Sequence, residues 1–135
     1  AEMYGYEHGR SESMMGRALV GRRDSVVLAT KFGHAEVKNP ELQDVPHGSR
    51  AYIRTAVEGS LRRLRTDHID LYQLHTPDPE TPIDETLSAL HELVNEGKVR
   101  YLGHSNFTAA QVDEAALAAA TAGHPRFISA QNEYS

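Results

Sequence analysis

Cysteine is absent from the 135-residue sequence, and so are long apolar runs. Without cysteine the chain cannot form disulfides, use a thiol nucleophile or hold zinc through thiolates. No apolar run approaches the roughly 20 residues needed to cross a bilayer. The opening residues lack the basic start and apolar core of a signal peptide. We therefore expect a cytoplasmic protein that does not enter the membrane.

A surplus of positive charge is also missing. The chain has 14 Lys and Arg residues against 19 Asp and Glu residues, so its formal net charge is −5. This balance argues against a nucleic acid or an anionic membrane surface as the main partner. It is compatible with a small-molecule partner, including a phosphorylated one.

Helical and strand patterns alternate strictly along the chain. Apolar, β-prone runs predict strands at residues 25–31, 69–75, 99–103 and 127–134. Residues that favour helix N-caps predict helix starts at Ser11, Ser49, Thr81 and Thr108. Such alternation is typical of βαβ units and predicts a parallel sheet.

The strand predicted at 69–75 ends on His75 and is followed by two prolines, so it delivers a titratable group to its carboxyl end. In a parallel α/β array the carboxyl ends of all strands lie on one face. We therefore expect a cluster formed by Lys31, His75, Ser105, Asn106, Gln131 and Tyr134. The long polar connection at 33–49 is a candidate functional loop above this face.

An ammonium, an imidazole and a phenol on one face suit acid catalysis on a carbonyl group. The ordinary pKa of a phenol, about 10, is too high for an efficient acid at neutral pH, and a nearby ammonium lowers it. An imidazole can hydrogen-bond a substrate oxygen. We see neither a carboxylate pair nor a metal site for hydrolysis.

The sequence resembles the aldo-keto reductase superfamily along its whole length. The matching stretches, in family order, are AEMYG at 1–5, GRSE at 9–12, LATK at 28–31, SLRRL at 60–64, IDLYQLH at 69–75, GKVRYLG at 97–103, SN at 105–106 and QNEYS at 131–135.

This resemblance implies a parallel (β/α)8 TIM-type barrel that reduces aldehydes or ketones with hydride from NADPH. By position, Tyr4 resembles the family's proton donor, Lys31 the residue that lowers its pKa, and His75 the residue that orients the carbonyl. Further positions resemble those that bind the nicotinamide: Ser105, Asn106, Gln131 and Tyr134.

Residues 1–135 then correspond to part of one barrel domain, from the end of strand two to strand six, because a complete barrel takes about 250 residues. The family's catalytic Asp would precede Tyr4, and its phosphate-binding segments would follow Ser135. His104 stands where the family usually has an apolar residue. Alone, this half-barrel is expected to be inactive and prone to self-association through its uncovered strand edges.

Two other functions deserve comparison. A barrel that binds nicotinamide as a regulatory or scaffolding subunit would not need Tyr4, Lys31 and His75 together. A metal-dependent hydrolase is suggested by the 8 histidines, but no predicted strand carries a His-x-His pair. We therefore favour an NADP-dependent carbonyl reductase without a metal.

Overall fold

The computed structural model describes residues 10–33, 42, 44–123 and 127–131. Within these ranges helices and strands alternate, as the sequence predicts. The helices are α1 (Arg10–Ala18), α2 (Arg50–Leu64), α3 (Ile83–Asn95) and α4 (Ala109–Ala122). The strands are β1 (Ala29–Phe32), β2 (Ile69–Leu74), β3 (Val99–Ser105) and β4 (Phe127–Gln131), and a short 3-10 helix forms at Arg23–Ser25.

The described strands form a single parallel sheet in the order β1-β2-β3-β4. Lys31 of β1 lies opposite Gln73 of β2, which in turn lies opposite Gly103 of β3. Ser105 at the end of β3 lies opposite Gln131 of β4. This order agrees with the predicted succession of βα units and aligns the carboxyl ends of the strands along one edge.

One face of the sheet packs against the helices. Side chains alternate across a strand, and those that point to the helical layer are buried, including Phe32, Tyr72, Leu74 and Leu102. The rings of Phe32 and Tyr72 stack with centroids 4.7 Å apart. Successive helices pack on one another, α1 on α2, α2 on α3 and α3 on α4. The hydrophobic core therefore lies between the sheet and a single helical layer.

The opposite face of the sheet is partly exposed. Tyr101, on this face, is 57% exposed, and Val27, just before β1, is 85% exposed, whereas Gln73 on the same face is buried. We call this face, with Lys31, Gln73 and Gly103 on it, the inner face.

Two of the four predicted helix N-caps, Ser49 and Thr108, are confirmed. The Ser49 hydroxyl accepts from the Tyr52 N–H at the start of α2. Thr108 and Gln111 form a reciprocal capping box at the start of α4. Ser11, predicted as an N-cap, lies inside α1, which already includes Arg10; helix ends commonly differ by a residue or two from their sequence signals.

Thr81 is the second wrong prediction of a cap. The N-cap of α3 is Pro82, which makes no side-chain capping bond. The Thr81 hydroxyl instead donates to Asp78 Oδ2 over 2.6 Å. A nearby carboxylate acceptor forms a stronger hydrogen bond with a hydroxyl than a neutral partner does, so Thr81 orders the preceding loop.

The first strand is shorter than the predicted 25–31. Ser25 ends a 3-10 helix, and β1 begins at Ala29. The reason is a set of long-range bonds: Arg23 donates to Thr66 Oγ1, to the His68 carbonyl and to Asp70 Oδ2. The Leu28 N–H also donates to Asp70 Oδ2 over 2.8 Å. These contacts fix the entry to β1 at the amino end of the sheet.

Asp70 is therefore a charged anchor at that end. Burial alone would raise the pKa of Asp70, but the hydrogen bonds from the Leu28 N–H and Arg23, with the charge of Arg23, outweigh it and hold the pKa below its usual range. The carboxylate stays ionised and keeps its partners.

A buried ion pair joins α1, β1 and α2. Glu12 is 1% exposed. Its Oε1 accepts from Nε and Nη2 of Arg63 at 2.9 and 2.8 Å, and its Oε2 accepts from the Thr30 hydroxyl at 2.9 Å. Both guanidinium nitrogens donate to the same carboxylate oxygen, and the Thr30 hydroxyl satisfies the other; hydrogen bonds between charged groups such as Arg63 and Glu12 are stronger than neutral ones. Gly16 permits the close approach, because a Cβ there would lie 2.2 Å from the Arg63 carbonyl oxygen.

We predict that Arg63→Met lowers the free energy of unfolding by about 3 kcal/mol, because it leaves the Glu12 carboxylate buried without its counter-ion. Arg62→Met is the matched control, since the neighbouring Arg62 is exposed, and it should change stability by less than about 0.5 kcal/mol. Urea unfolding of the whole protein measures both. Equal losses in the two variants would contradict the assigned role of the pair.

Candidate active site

The carboxyl edge of the sheet collects four of the predicted site residues. Lys31 lies on the inner face of β1, His75 directly follows β2, and Ser105 ends β3 with Asn106 after it. Gln131 ends β4 opposite Ser105. Tyr4 and Tyr134 lie outside the described residues. The structure therefore places Lys31, His75, Ser105 and Asn106 together, with the Gln131 position beside them.

The backbone of His75 is the centre of this edge. Its N–H donates to the Phe32 carbonyl over 2.7 Å. Its carbonyl oxygen accepts from the Ser105 hydroxyl at 2.8 Å and from Asn106 Nδ2 at 3.0 Å. His75 is 6% exposed. Strands β1 and β3 thus hold the backbone of His75 from both sides.

Asn106 reaches back to His75 because its backbone turns sharply. Its φ is 62°, in the left-handed region that asparagine tolerates better than most residues. The Ser105 hydroxyl donates its hydrogen to the His75 carbonyl, and its oxygen can still accept a hydrogen bond. These two side chains are therefore ordered before any ligand binds.

Lys31 supplies the positive charge of the site. Partial burial lowers the pKa of the Lys31 ammonium below its ordinary value. The cause is loss of hydration, which penalises the charged form. Lys31 lies opposite Gln73, which is two residues before His75 along the chain. Lys31 and His75 therefore share a face, and Lys31 is farther from the carboxyl edge.

Gln73 and Gly103 belong to this site although the sequence interpretation did not include them. Gln73 is buried, at 6% exposure, and lies between Lys31 and Gly103 in the sheet. The alternation of side chains along β2 could have identified it, since Gln73 and His75 share a face. Gly103 lies opposite Gln73 in the sheet and places no side chain on the inner face beside it.

Hydrogen bonds join two loops next to the carboxyl edge, and we call the bonds around Asp78 the clasp. The Asp78 carboxylate accepts from the Gly48 N–H at 2.8 Å, from the Glu80 N–H at 2.9 Å and from the Thr81 hydroxyl. His47 Nε2 donates to the carbonyls of Thr76 and Pro77 at 3.0 and 3.1 Å. The loop before α2 is therefore tied to the loop after β2. Most of the predicted functional loop at 33–49 lies outside the described residues.

The charge on Asp78 holds this clasp. Burial alone would raise the pKa of Asp78, but the hydrogen bonds from Thr81, Glu80 and Gly48 outweigh it, and the pKa lies below its usual range. A lowered pKa means that the folded state favours the ionised carboxylate. The sequence offered no local signal for this contact, because its partners are about 30 residues apart along the chain.

Two other features, a metal site and a membrane-spanning helix, are absent from the described residues. In the ranges that the structure describes, no group of three or more His, Asp or Glu side chains could hold a metal ion. Nor do those ranges contain a helix long and apolar enough to span a membrane.

Comparisons with known proteins agree with this architecture. The model of the aldo/keto reductase family matches residues 1–135. The chain is 48% identical over 115 residues to the aldo-keto reductase YhdN of Bacillus subtilis, which covers 84% of this chain and 33% of that protein. It is 41% identical over 119 residues to the aldo-keto reductase yakc [NADP(+)] of Schizosaccharomyces pombe, with 86% and 34% covered.

A third relative, the aldo-keto reductase AFTS1 of Alternaria alternata, is 40% identical over 153 residues, with 96% of this chain and 42% of that protein covered. The parallel α/β architecture and these matches define an oxidoreductase-type barrel segment. The chain belongs to the aldo/keto reductase family. It spans about a third of the length of the curated relatives it matches, so the described strands are an incomplete part of the family's (β/α)8 barrel.

We predict that Asp78→Asn weakens the clasp and lowers the free energy of unfolding by about 2 kcal/mol at neutral pH, because charge-assisted hydrogen bonds become neutral ones. Since the folded-state pKa is lowered, the contribution of Asp78 is present above its ordinary pKa of about 4 and is lost as pH falls below it. The variant should therefore be less sensitive to acid in that range.

Urea unfolding over a pH series measures this difference. Asp44→Asn, an exposed change in the loop before α2 that Asp78 contacts, is the control and should keep the wild-type acid dependence. Identical acid dependence in wild type and Asp78→Asn would contradict the role of the charge.

Proposed function

We propose that the whole protein reduces an aldehyde or ketone to an alcohol by hydride transfer from NADPH, with Tyr4 as the proton donor. The observation that carries this proposal is the juxtaposition of Lys31, His75 and Ser105 at one edge of a parallel sheet in a member of the aldo/keto reductase family. The preference for NADP is supported by the name of one relative, yakc [NADP(+)].

Each residue has a chemical task in this proposal. His75 hydrogen-bonds the carbonyl oxygen of the substrate and orients it. Tyr4 donates a proton to that oxygen as negative charge develops there. The ammonium of Lys31 favours the phenolate and so lowers the pKa of Tyr4 toward neutral pH. The lowered pKa of Lys31 itself follows from the partly dehydrated position that makes its charge effective.

The cofactor would be held by Ser105, Asn106 and Gln131, with Tyr134 as the aromatic surface for the ring. Ser105 and Asn106 are anchored to the His75 carbonyl, so a carboxamide bound to them is fixed relative to the substrate oxygen. The reaction needs a hydride, which NADPH supplies when bound at this edge. A small carbonyl compound is the proposed second reactant.

The same residues argue against a purely regulatory role. A barrel that only bound nicotinamide would need the residues at the end of β3 but not a lysine and a histidine at the same edge of the sheet. Binding of NADPH without turnover of any carbonyl compound would favour the regulatory alternative.

We predict that Tyr4→Phe lowers kcat for carbonyl-dependent NADPH oxidation by the whole protein at least about a hundredfold, because general acid catalysis contributes about 10²–10⁴-fold. The Kd for NADPH should stay close to that of the wild type, since the phenol serves the carbonyl. Tyr101→Phe is the matched control: it also removes one hydroxyl, from a residue opposite Leu71 and farther from the edge. Equal rates in wild type and Tyr4→Phe would contradict the proton-donor assignment.

A further inference from the structure

His104 lies in β3 immediately before the proposed nicotinamide-binding pair. Its side chain points to the helical layer and is 4% exposed. The ring stacks on Phe107, with centroids 4.5 Å apart and planes 27° apart. It meets Phe127 edge-on at 5.2 Å and 75°, and the two phenyl rings lie 5.9 Å apart. We call these three residues the aromatic cluster.

The cluster holds the imidazole in its neutral form. His104 Nδ1 is buried and has no hydrogen-bond partner among the residues that the structure describes. Burial lowers the pKa of His104 below its ordinary value. A charged imidazolium without a counter-ion or a hydrogen-bond acceptor is costly in such surroundings, so a proton taken up by His104 favours exposure of the ring to water.

Charged groups on the neighbouring elements do not offset that cost. In the described part of the chain, burial is the sole cause of the pKa shift of His104. The titratable side chains on the elements around it are, on β2, Asp70 and Tyr72, with His75 just after that strand; on β3, Arg100 and Tyr101; on α3, Asp84, Glu85, His91 and Glu92; and on α4, Asp113 and Glu114. Neither an attraction nor a repulsion from these groups contributes to the shift.

Movement of His104 would be transmitted to the site through one peptide unit. His104 and Ser105 are consecutive residues of β3 and point to opposite faces of the sheet. Ser105 and Asn106 hold their positions through hydrogen bonds to the His75 carbonyl. Displacing the ring from the aromatic cluster shifts the end of β3 and lengthens both bonds.

We propose that His104 is a positioning residue of the nicotinamide site, whose neutral ring fixes Ser105 and Asn106 and whose protonation releases them. The inference rests on the proposed function, because it assigns the nicotinamide to the end of β3. Cofactor affinity then falls in acid. The fall requires no change in the catalytic residues Tyr4, Lys31 and His75.

The test compares the pH dependence of NADP+ binding to the whole protein and to His104→Phe, measured by calorimetry. In the wild type the Kd should rise about tenfold for each pH unit below the pKa of His104, and this component should be absent in the variant. Titration of the phosphate groups of NADP+ is common to both proteins and cancels. His104→Leu also has an apolar side chain that cannot take a proton, and it replaces His104→Phe in the test if that variant does not fold.

Two controls separate this effect from others. His68→Gln removes a histidine at the amino end of the sheet, where it contacts Asp67 over 2.7 Å, and should keep the wild-type pH dependence. Circular dichroism at each pH should show that the wild type keeps its helices while affinity falls. If the helical signal fell in parallel with the affinity, the protein would be unfolding as a whole. That result would overturn the inference that only Ser105 and Asn106 are released.

Other outcomes are equally decisive. Binding with the same pH dependence in wild type, His104→Phe and His104→Leu would overturn the inference and leave the proposed function intact. No binding of NADP+ at any pH would overturn both.

Discussion

The parallel pairing of β2 with both of its neighbours is the constraint on which the site depends. Asp70 and His75 stand at opposite ends of this strand, and each is tied to β1 by hydrogen bonds. The register places Lys31 opposite Gln73 and Ser105 opposite Gln131. A slip of β2 by one residue would move Gln73 to the helical face and put Tyr72 on the inner face. The buried Tyr72 and Leu74 side chains oppose that slip.

The two ends of the sheet carry different contacts. The amino end carries the Arg23–Asp70 contact, and the buried Glu12–Arg63 pair ties α1 to α2. The carboxyl edge carries the hydrogen bonds to the His75 carbonyl, which hold the residues of the proposed site, with the Asp78 clasp beside them. Barrel folds commonly divide their two ends in this way. The division explains how the edge can hold a partly dehydrated lysine without losing the fold.

The sequence predicted the elements well where local chemistry decides them. The caps at Ser49 and Thr108 and the alternation of helices and strands need only neighbouring residues. It failed where other partners compete. Arg23 shortens β1 through contacts more than 40 residues away, and Asp78, three residues before Thr81, takes the hydroxyl that was predicted to cap α3. The position of Gln73 on the same face as His75 could have been predicted from side-chain alternation along the strand, whereas the clasp at Asp78 could not. The predicted roles of Tyr4 and Tyr134 stay predictions.

The most direct test of the account is hydrogen exchange of the whole protein with and without saturating NADP+. If the carboxyl edge is where the nicotinamide binds, amides at 74–76 and 103–106 should exchange more slowly when the cofactor is present, because the ligand stabilises the strand ends that it contacts. Amides at 66–70 and 98–100, at the opposite end of the same strands, should not change. Protection confined to the amino end, or absent from 103–106, would contradict the proposed site.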